Sequence, residues 1–185
     1  MGEAYIVAAS RTAGGRRNGR LKDWHAADLA GKVLDDVVAR AKADPALVDD
    51  VIMGCVSQAG EQSTNIARNA ILCSSLPESV PGTSVDRQCG SSQQALHFAA
   101  QAVMSGAMDC VIAAGVEMMT RVPMGAAHDA SPARGPRFRT GGYGRPGLAT
   151  QASVRWSGPL QDGPNAQLDG RDHVRPGLRS KHGTS

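Results

Sequence analysis

Cys89 is the residue of this sequence best placed to do chemistry. It stands in VDRQCGSSQQAL (residues 85–96), where a short apolar run gives way to a turn and then to a helix of small residues. A thiol at a helix N-terminus faces backbone N–H groups without partners and the positive end of the macrodipole, and both stabilise a thiolate. The same amides can hold the oxyanion of a tetrahedral intermediate, and Gly90 with Ser91 leaves room for a substrate to approach. By position alone Cys89 is either a nucleophile or a buried structural thiol. The other three cysteines point to the second role. Cys55 and Cys110 fall inside apolar runs and Cys73 ends an apolar helical stripe, so all three are expected to be buried. Intervals of 18, 16 and 21 residues between the cysteines contain no C-x-x-C pair and no nearby His pair, so no metal site is expected.

The elements that must position Cys89 follow from the hydrophobic pattern. Residues 4–9 (AYIVAA) form a nearly continuous apolar run, which suits a strand buried on both faces. Leu29, Val33, Val37 and Ala41 repeat every four residues, so residues 23–42 read as an amphipathic helix. Asp44-Pro45 starts one more helical turn. Residues 51–56 (VIMGCV) are a second strand, and residues 65–73 carry Ile66, Ala70 and Cys73 at helical spacing. Residues 80–85 form a weaker third strand, interrupted by Pro81-Gly82. Residues 90–105 then form a helix stopped by Gly106, and residues 110–116 (CVIAAGV) are a fourth strand. The order β-α-β-α-β-α-β predicts an α/β fold with a largely parallel or mixed sheet and helices on its faces. The helix after Cys89 has small side chains on nearly every face, which predicts a helix buried between two layers.

Composition divides the chain after Met124. Ile, Leu, Val, Met and Phe occupy 33 of the first 124 positions but only 7 of the last 61. The tail, residues 125–185, has no Ile, Met or Glu and holds 11 of the 22 glycines and 6 of the 10 prolines. That composition buries too little apolar surface to offset ordering entropy, so the tail is expected to be disordered. Charge divides at the same place: 11 Lys and Arg against 13 Asp and Glu in the head, net −2, and 9 against 4 in the tail, net +5. The tail holds a formal G-x-G-x-x-G at residues 142–147, but no apolar strand precedes it and Pro146 lies inside it, so a dinucleotide loop is not expected. Its eight arginines, with Phe138, Tyr143 and Trp156, read as a solvated charge run in preference to a nucleic-acid-binding segment. No apolar run approaches 18 residues, and with free thiols the expectation is a cytoplasmic protein without membrane association.

With these segments in view, the chain resembles the thiolase family, the acetyl-CoA acetyltransferases and 3-ketoacyl-CoA thiolases. Residues 85–96, followed by Val103, resemble the acyl-enzyme cysteine signature. Residues 8–12 (AASRT), 54–60 (GCVSQAG) with 65–68 (NIAR), and 113–120 (AAGVEMMT) resemble further thiolase segments in the same order and spacing. The resemblance implies a thiolase-like N-terminal half over residues 1–124. It also implies that Cys89 is the acyl-enzyme nucleophile and a backbone oxyanion donor, that CoA thioesters such as acetyl-CoA are substrates with no bound cofactor, and that the intact family forms homo-oligomers. Asp86 departs from the neutral Asn of many relatives, and an acid three residues before a nucleophile opposes thiolate formation unless it points away or meets Arg87. In the family a G-H-P histidine, a C-x-G cysteine and an N-E-A-F segment complete the site. None of the three motifs occurs in these 185 residues; His173 and His182 stand in other contexts, and His25 and His97 fall in the head helices. A frame shift near residue 125, real or a sequencing error, is a hypothesis that would account for the tail and leave an incomplete and impaired thiolase; G-H-P and C-x-G segments in another frame of the downstream DNA would test it. Three function classes stay open, with a thiolase-type acyltransferase ahead of a non-catalytic assembly protein and an arginine-rich nucleic-acid binder.

Overall fold

The computed structural model describes residues 2–129 and 151–156. Strands β1 (Tyr5–Arg11), β2 (Asp50–Gly54), β3 (Gly82–Val85) and β4 (Cys110–Gly115) alternate with helices α1 (Ala26–Ala41), α2 (Ile66–Leu72) and α3 (Ser91–Ser105). A short helix α4 (Ala126–Asp129) and a strand β5 (Gln151–Trp156) follow. The five strands form one sheet in the order β1-β5-β4-β2-β3. β2 pairs in parallel with β3 and β4, while β5 is antiparallel to both β4 and β1. The strands β1 to β4 therefore point the same way, and their carboxyl ends gather at one edge of the sheet. The mixed α/β architecture and its element order are those expected from the pattern.

β2 and β4 fill both faces, as their continuous apolar runs require. β1, expected to be buried on both faces, is instead an edge strand of the sheet and leaves Tyr5, Ile6 and Val7 exposed. Val51 and Met53 of β2 and Ile112 and Ala114 of β4 pack under α1 and α2 with Leu34, Val37, Ile66 and Ile71. The alternate residues Ile52, Val111 and Ala113 pack under α3 with Ala95, Ala99 and Val103. Full burial of one such aliphatic side chain stabilises by roughly 1.5–3 kcal/mol. α3 buries this one side, and its Phe98, on the other, is exposed. Among the described residues no helix is long and apolar enough to cross a membrane.

Local chemistry corrects several boundaries. α1 starts at Ala26 and not at Asp23, because His25 Nδ1 accepts the Ala27 N–H at 3.2 Å and caps the helix there. The turn at Asp44-Pro45 is a single 3₁₀ turn, with Asp44 Oδ1 accepting the Ala46 N–H at 2.9 Å. Asn65 caps α2 through Oδ1 on the Arg68 N–H at 3.2 Å, and its Nδ2 donates to Gly82 O at 2.7 Å, tying α2 to β3. Cys73, expected inside, is exposed: it is the C-cap residue of α2, beyond Ala70 and Ile71, which face the core.

Gln151–Trp156, inside the segment expected to lack structure, pairs along its length with β1 on one side and β4 on the other. Here the backbone decides, since β1 and β4 each present a row of N–H and C=O groups that require partners. The G-x-G-x-x-G at residues 142–147, His173 and His182 lie outside the described residues.

Candidate functional site

At the carboxyl end of β3 the chain turns sharply into α3, and Cys89 sits in that turn, exposed. In open α/β sheets this is the edge at which ligands bind. The residues on either side of Cys89 are tied. Asp86 Oδ1 accepts the Gln88 N–H at 2.8 Å, and Gln88 holds the left-handed φ of 49° that a non-glycine residue adopts only when its surroundings enforce it. Ser91 Oγ accepts the Arg87 N–H at 2.9 Å and donates to Gln88 O at 2.6 Å. Backbone bonds from Gly90 N to Arg87 O and from Ser91 N to Gln88 O, both 3.0 Å, close the turn. The Arg87 guanidinium reaches Gln94 Oε1 at 2.6 Å. Asp86 thus makes no ion pair with Arg87 among the described residues; its carboxylate serves as an acceptor inside the turn.

Gly90 is the N-cap residue of α3 and offers no side-chain cap. First-turn amides of a helix have no intrahelical acceptor; that of Ser91 is taken up by Gln88 O, which leaves those of Ser92 and Gln93 as the ones a negative charge at this helix end could meet. Two glycines bring this helix end onto the sheet. A Cβ on Gly54 would overlap Ser92 N and Ser91 C and lie 2.7 Å from Ser91 O, and a Cβ on Gly115 would overlap Ser92 Oγ and lie 2.8 Å from Ser92 Cβ. The last residues of β2 and β4 therefore form the seat of α3.

The loops after β2 and β4 are joined beside this seat by a network that the sequence reading does not single out. Glu117 accepts from Val56 N at 2.8 Å, Ser57 N at 3.2 Å and Gln62 Nε2 at 2.9 Å. Gln62 is fully buried; its Nε2 also donates to Ser57 O at 2.8 Å, and its Oε1 accepts from Met118 N at 2.6 Å. Cys55 lies against the same network, and its N–H donates to Val85 O at 3.0 Å, linking it to the strand that leads to Cys89. Burial, with Glu117 and then Asp86 adding to it, pushes the Cys55 thiol up to about 12. Among the described residues no group of three or more His, Cys, Asp or Glu side chains is placed to hold a metal ion.

The cysteines therefore differ in what they offer an electrophile. Cys55 and Cys110 are buried, and burial pushes Cys110 up to about 11. Cys73 is exposed, but partial burial and then its hydrogen bond with Asp28 push its thiol up. Brief treatment with iodoacetamide at pH 7.5 followed by mass mapping is expected to label Cys89 first and Cys73 second, leaving Cys55 and Cys110 unmodified until the fold opens. Labelling of Cys73 ahead of Cys89 would remove the basis for treating Cys89 as the reactive thiol.

The family described as Thiolase, N-terminal domain, matches residues 4–143, a span that continues past the change in composition at Met124. A steroid 3-ketoacyl-CoA thiolase of Mycobacterium tuberculosis is 50% identical over 127 residues, covering 69% of this chain and 31% of that protein. A 3-oxoadipyl-CoA/3-oxo-5,6-dehydrosuberyl-CoA thiolase of Escherichia coli K12 is 45% identical over 143 residues, 76% of this chain and 36% of that one. A 3-ketoacyl-CoA thiolase of E. coli UTI89 is 38% identical over 185 residues, 99% of this chain and 47% of that one. Among solved structures, the acetyl-CoA acetyltransferase of Bacillus anthracis superposes with a TM-score of 0.62 at 35% identity, over 76% of this chain and 33% of that one. The chain spans about a third to a half of the length of the curated relatives it matches. A family match over this span, together with strands and helices in the expected order, shows that the chain belongs to the thiolase family and carries that family's N-terminal domain.

Proposed function

We propose that this chain accepts an acyl group from a CoA thioester onto the sulfur of Cys89, the first half-reaction of a thiolase-type acyltransferase. The Cys89 thiolate attacks the thioester carbonyl, the electron pair moves to the carbonyl oxygen beside the first-turn amides of α3, and the tetrahedral intermediate collapses. The bond to the CoA sulfur breaks, CoA leaves as a thiolate that takes up a proton, and an acyl-cysteine remains. The observation that carries this reading is the placement of an exposed cysteine, between hydrogen-bonded neighbours of one turn, at the N-terminus of α3, which has no side-chain cap. A reducing cytoplasmic setting and homo-oligomers formed through the complete family fold belong to the same proposal.

The second half-reaction needs groups that these 185 residues do not contain, since neither G-H-P nor C-x-G occurs in them. General acid–base groups typically contribute 10² to 10⁴ in rate, on the order of 3–5 kcal/mol of barrier each. The purified chain, incubated with acetyl-CoA, is therefore expected to gain one acetyl adduct by intact mass, with release of one equivalent of CoA and no sustained turnover. Cys89→Ala should abolish the adduct. An adduct that persists in Cys89→Ala would overturn the proposal, and so would the absence of any adduct in the folded native chain. A non-catalytic assembly role is the second reading, favoured by the exposed Tyr5, Ile6 and Val7 on the edge strand β1 and Phe98 on α3. Self-association measured by sedimentation, in a chain that forms no adduct, would favour it.

A further inference from the structure

Asp86 is subject to two opposed demands. Gln88, at φ 49°, holds its N–H in a tight turn where no backbone carbonyl among the described residues accepts it, and Asp86 Oδ1 supplies the acceptor at 2.8 Å. The geometry needs an oxygen at that point and no charge. Yet the oxygen belongs to a carboxylate, and the cation beside it in sequence is engaged elsewhere, with Arg87 Nη1 on Gln94 Oε1 at 2.6 Å. No ion pair among the described residues includes Asp86. The buried Cys55 thiol, whose N–H donates to Val85 O just before Asp86, is raised first by burial, then by Glu117 and then by Asp86.

We infer that Asp86 is a positioning residue for Cys89 that acts in two ways: its carboxyl oxygen holds the turn in which the thiol sits, and its negative charge restrains formation of the thiolate. The native residue thus holds the turn and slows the nucleophile. The inference rests on Cys89 being the reactive thiol of the proposed function, but neither readout below requires acyl transfer. The other charged and titratable groups around the turn are Arg87 on it, Cys55 and Glu117 in the loops after β2 and β4, His97, two turns along α3 and hydrogen-bonded to Gln93 at 3.2 Å, and Arg11 of β1 and Arg40 of α1, which line one cavity with Ser92 and Gln93. All six are retained in the variants below, and Cys55, pushed up to about 12, stays a thiol over the range tested.

The experiment compares the full chain with Asp86→Asn and Asp86→Ala. The rate of iodoacetamide labelling at Cys89 is followed by mass mapping from pH 6 to 10, and exchange of the Gln88 amide hydrogen is followed by NMR. Asn keeps the acceptor oxygen and removes the charge, so its pH–rate profile is expected to move to lower pH, with labelling at pH 7 faster by about 3- to 10-fold at low salt and by less at 1 M salt. Its Gln88 amide should stay protected. Ala removes both, so its profile should also move to lower pH while the Gln88 amide exchanges at least about 10-fold faster. An Asp86→Asn profile that is unmoved, or moved to higher pH, would overturn the electrostatic part. Protection of the Gln88 amide in Asp86→Ala would overturn the positioning part. If Asp86→Ala does not fold, the profile of the near-isosteric Asp86→Asn still decides the first, and loss of Gln88 protection in Asp86→Leu compared with Asp86→Asn decides the second. Failure of acyl transfer, with these shifts present, would count against the proposed function alone.

Discussion

Gly54→Ala is expected to destabilise the protein by about 3 kcal/mol or more, and to slow iodoacetamide labelling of Cys89 in whatever folded fraction remains. The added methyl would overlap Ser92 N and Ser91 C and stand 2.7 Å from Ser91 O, so every atom it meets is backbone of the first turn of α3. No rotamer change relieves such a contact; α3 must lift off β2, and the turn that holds Cys89 lifts with it. Gly115→Ala creates a different conflict at the neighbouring strand end. Its methyl meets the side chain of Ser92, with Ser92 Cβ at 2.8 Å, while the nearest backbone atom, Gly54 O, stands at 3.4 Å. Removing that side chain should therefore rescue one variant and not the other. Urea denaturation of Gly115→Ala with Ser92→Gly is expected to recover all but about 1 kcal/mol of the loss, the remainder being the glycine penalty in the helix. Gly54→Ala with Ser92→Gly should recover almost nothing. Equal rescue of both variants would show that α3 does not rest on the sheet through its backbone as described.

The parts of this fold that were legible in the sequence are those decided by burial of contiguous residues. The runs at β2 and β4 and the four-residue repeat of α1 act through many side chains at once, so single polar exceptions do not hide them; the run at β1 marked a strand but not its exposed place at the sheet edge. What escaped was decided by one or two atoms. The start of α1 moves to His25 because of one ring nitrogen, and Cys73 is exposed because α2 reaches its C-cap one residue too soon for the stripe to bury it. β5 escaped because composition was averaged over 61 residues, in which the six of Gln151–Trp156 hold only Val154 among the branched aliphatics. Its alternation of Ala152, Val154 and Trp156 with Gln151, Ser153 and Arg155 has the period of two that marks a strand. For the site, Cys89 was legible because a nucleophile at a helix start is a local pattern. The role of Asp86 was not, since a carboxylate at that position reads equally as an Arg partner, a solvated charge or a turn acceptor until the Gln88 N–H is placed. Gln62 gave no signal in its polar loop. Glu117, following directly on the apolar run of β4, gave one: an acid at the end of a buried strand calls for donors nearby.

Those donors are the reason Glu117→Leu is expected to be among the most damaging single changes outside the hydrophobic core. It leaves Val56 N, Ser57 N and one of the two Nε2 hydrogens of the fully buried Gln62 without an acceptor, the other still donating to Ser57 O. An unsatisfied buried donor costs about 1–3 kcal/mol, so a loss of roughly 3–5 kcal/mol follows, discounted at Ser57 for its longer bond of 3.2 Å. Glu117→Gln separates charge from geometry. Its amide can still offer one oxygen, but its NH₂ must then face Val56 N–H or the pair Ser57 N–H and Gln62 Nε2, a conflict between donors in either orientation. The lesser conflict leaves Val56 unpaired, and a loss of about 1–3 kcal/mol is expected. If the two side chains act as one unit, Glu117→Leu with Gln62→Leu should cost less than the two single changes added together, by about 1–3 kcal/mol, since each variant already strands the other's partner. Urea denaturation of the four proteins measures this coupling. Iodoacetamide labelling of Cys55, which is 1% exposed in the native chain, reports whether the loop has opened. Additive losses would show that Gln62 and Glu117 are held independently. Coupled losses together with labelling of Cys55 would mean that the loops after β2 and β4 stay closed because one buried amide and one carboxylate satisfy each other, and with them the strand end that bonds to Val85 ahead of the Cys89 turn.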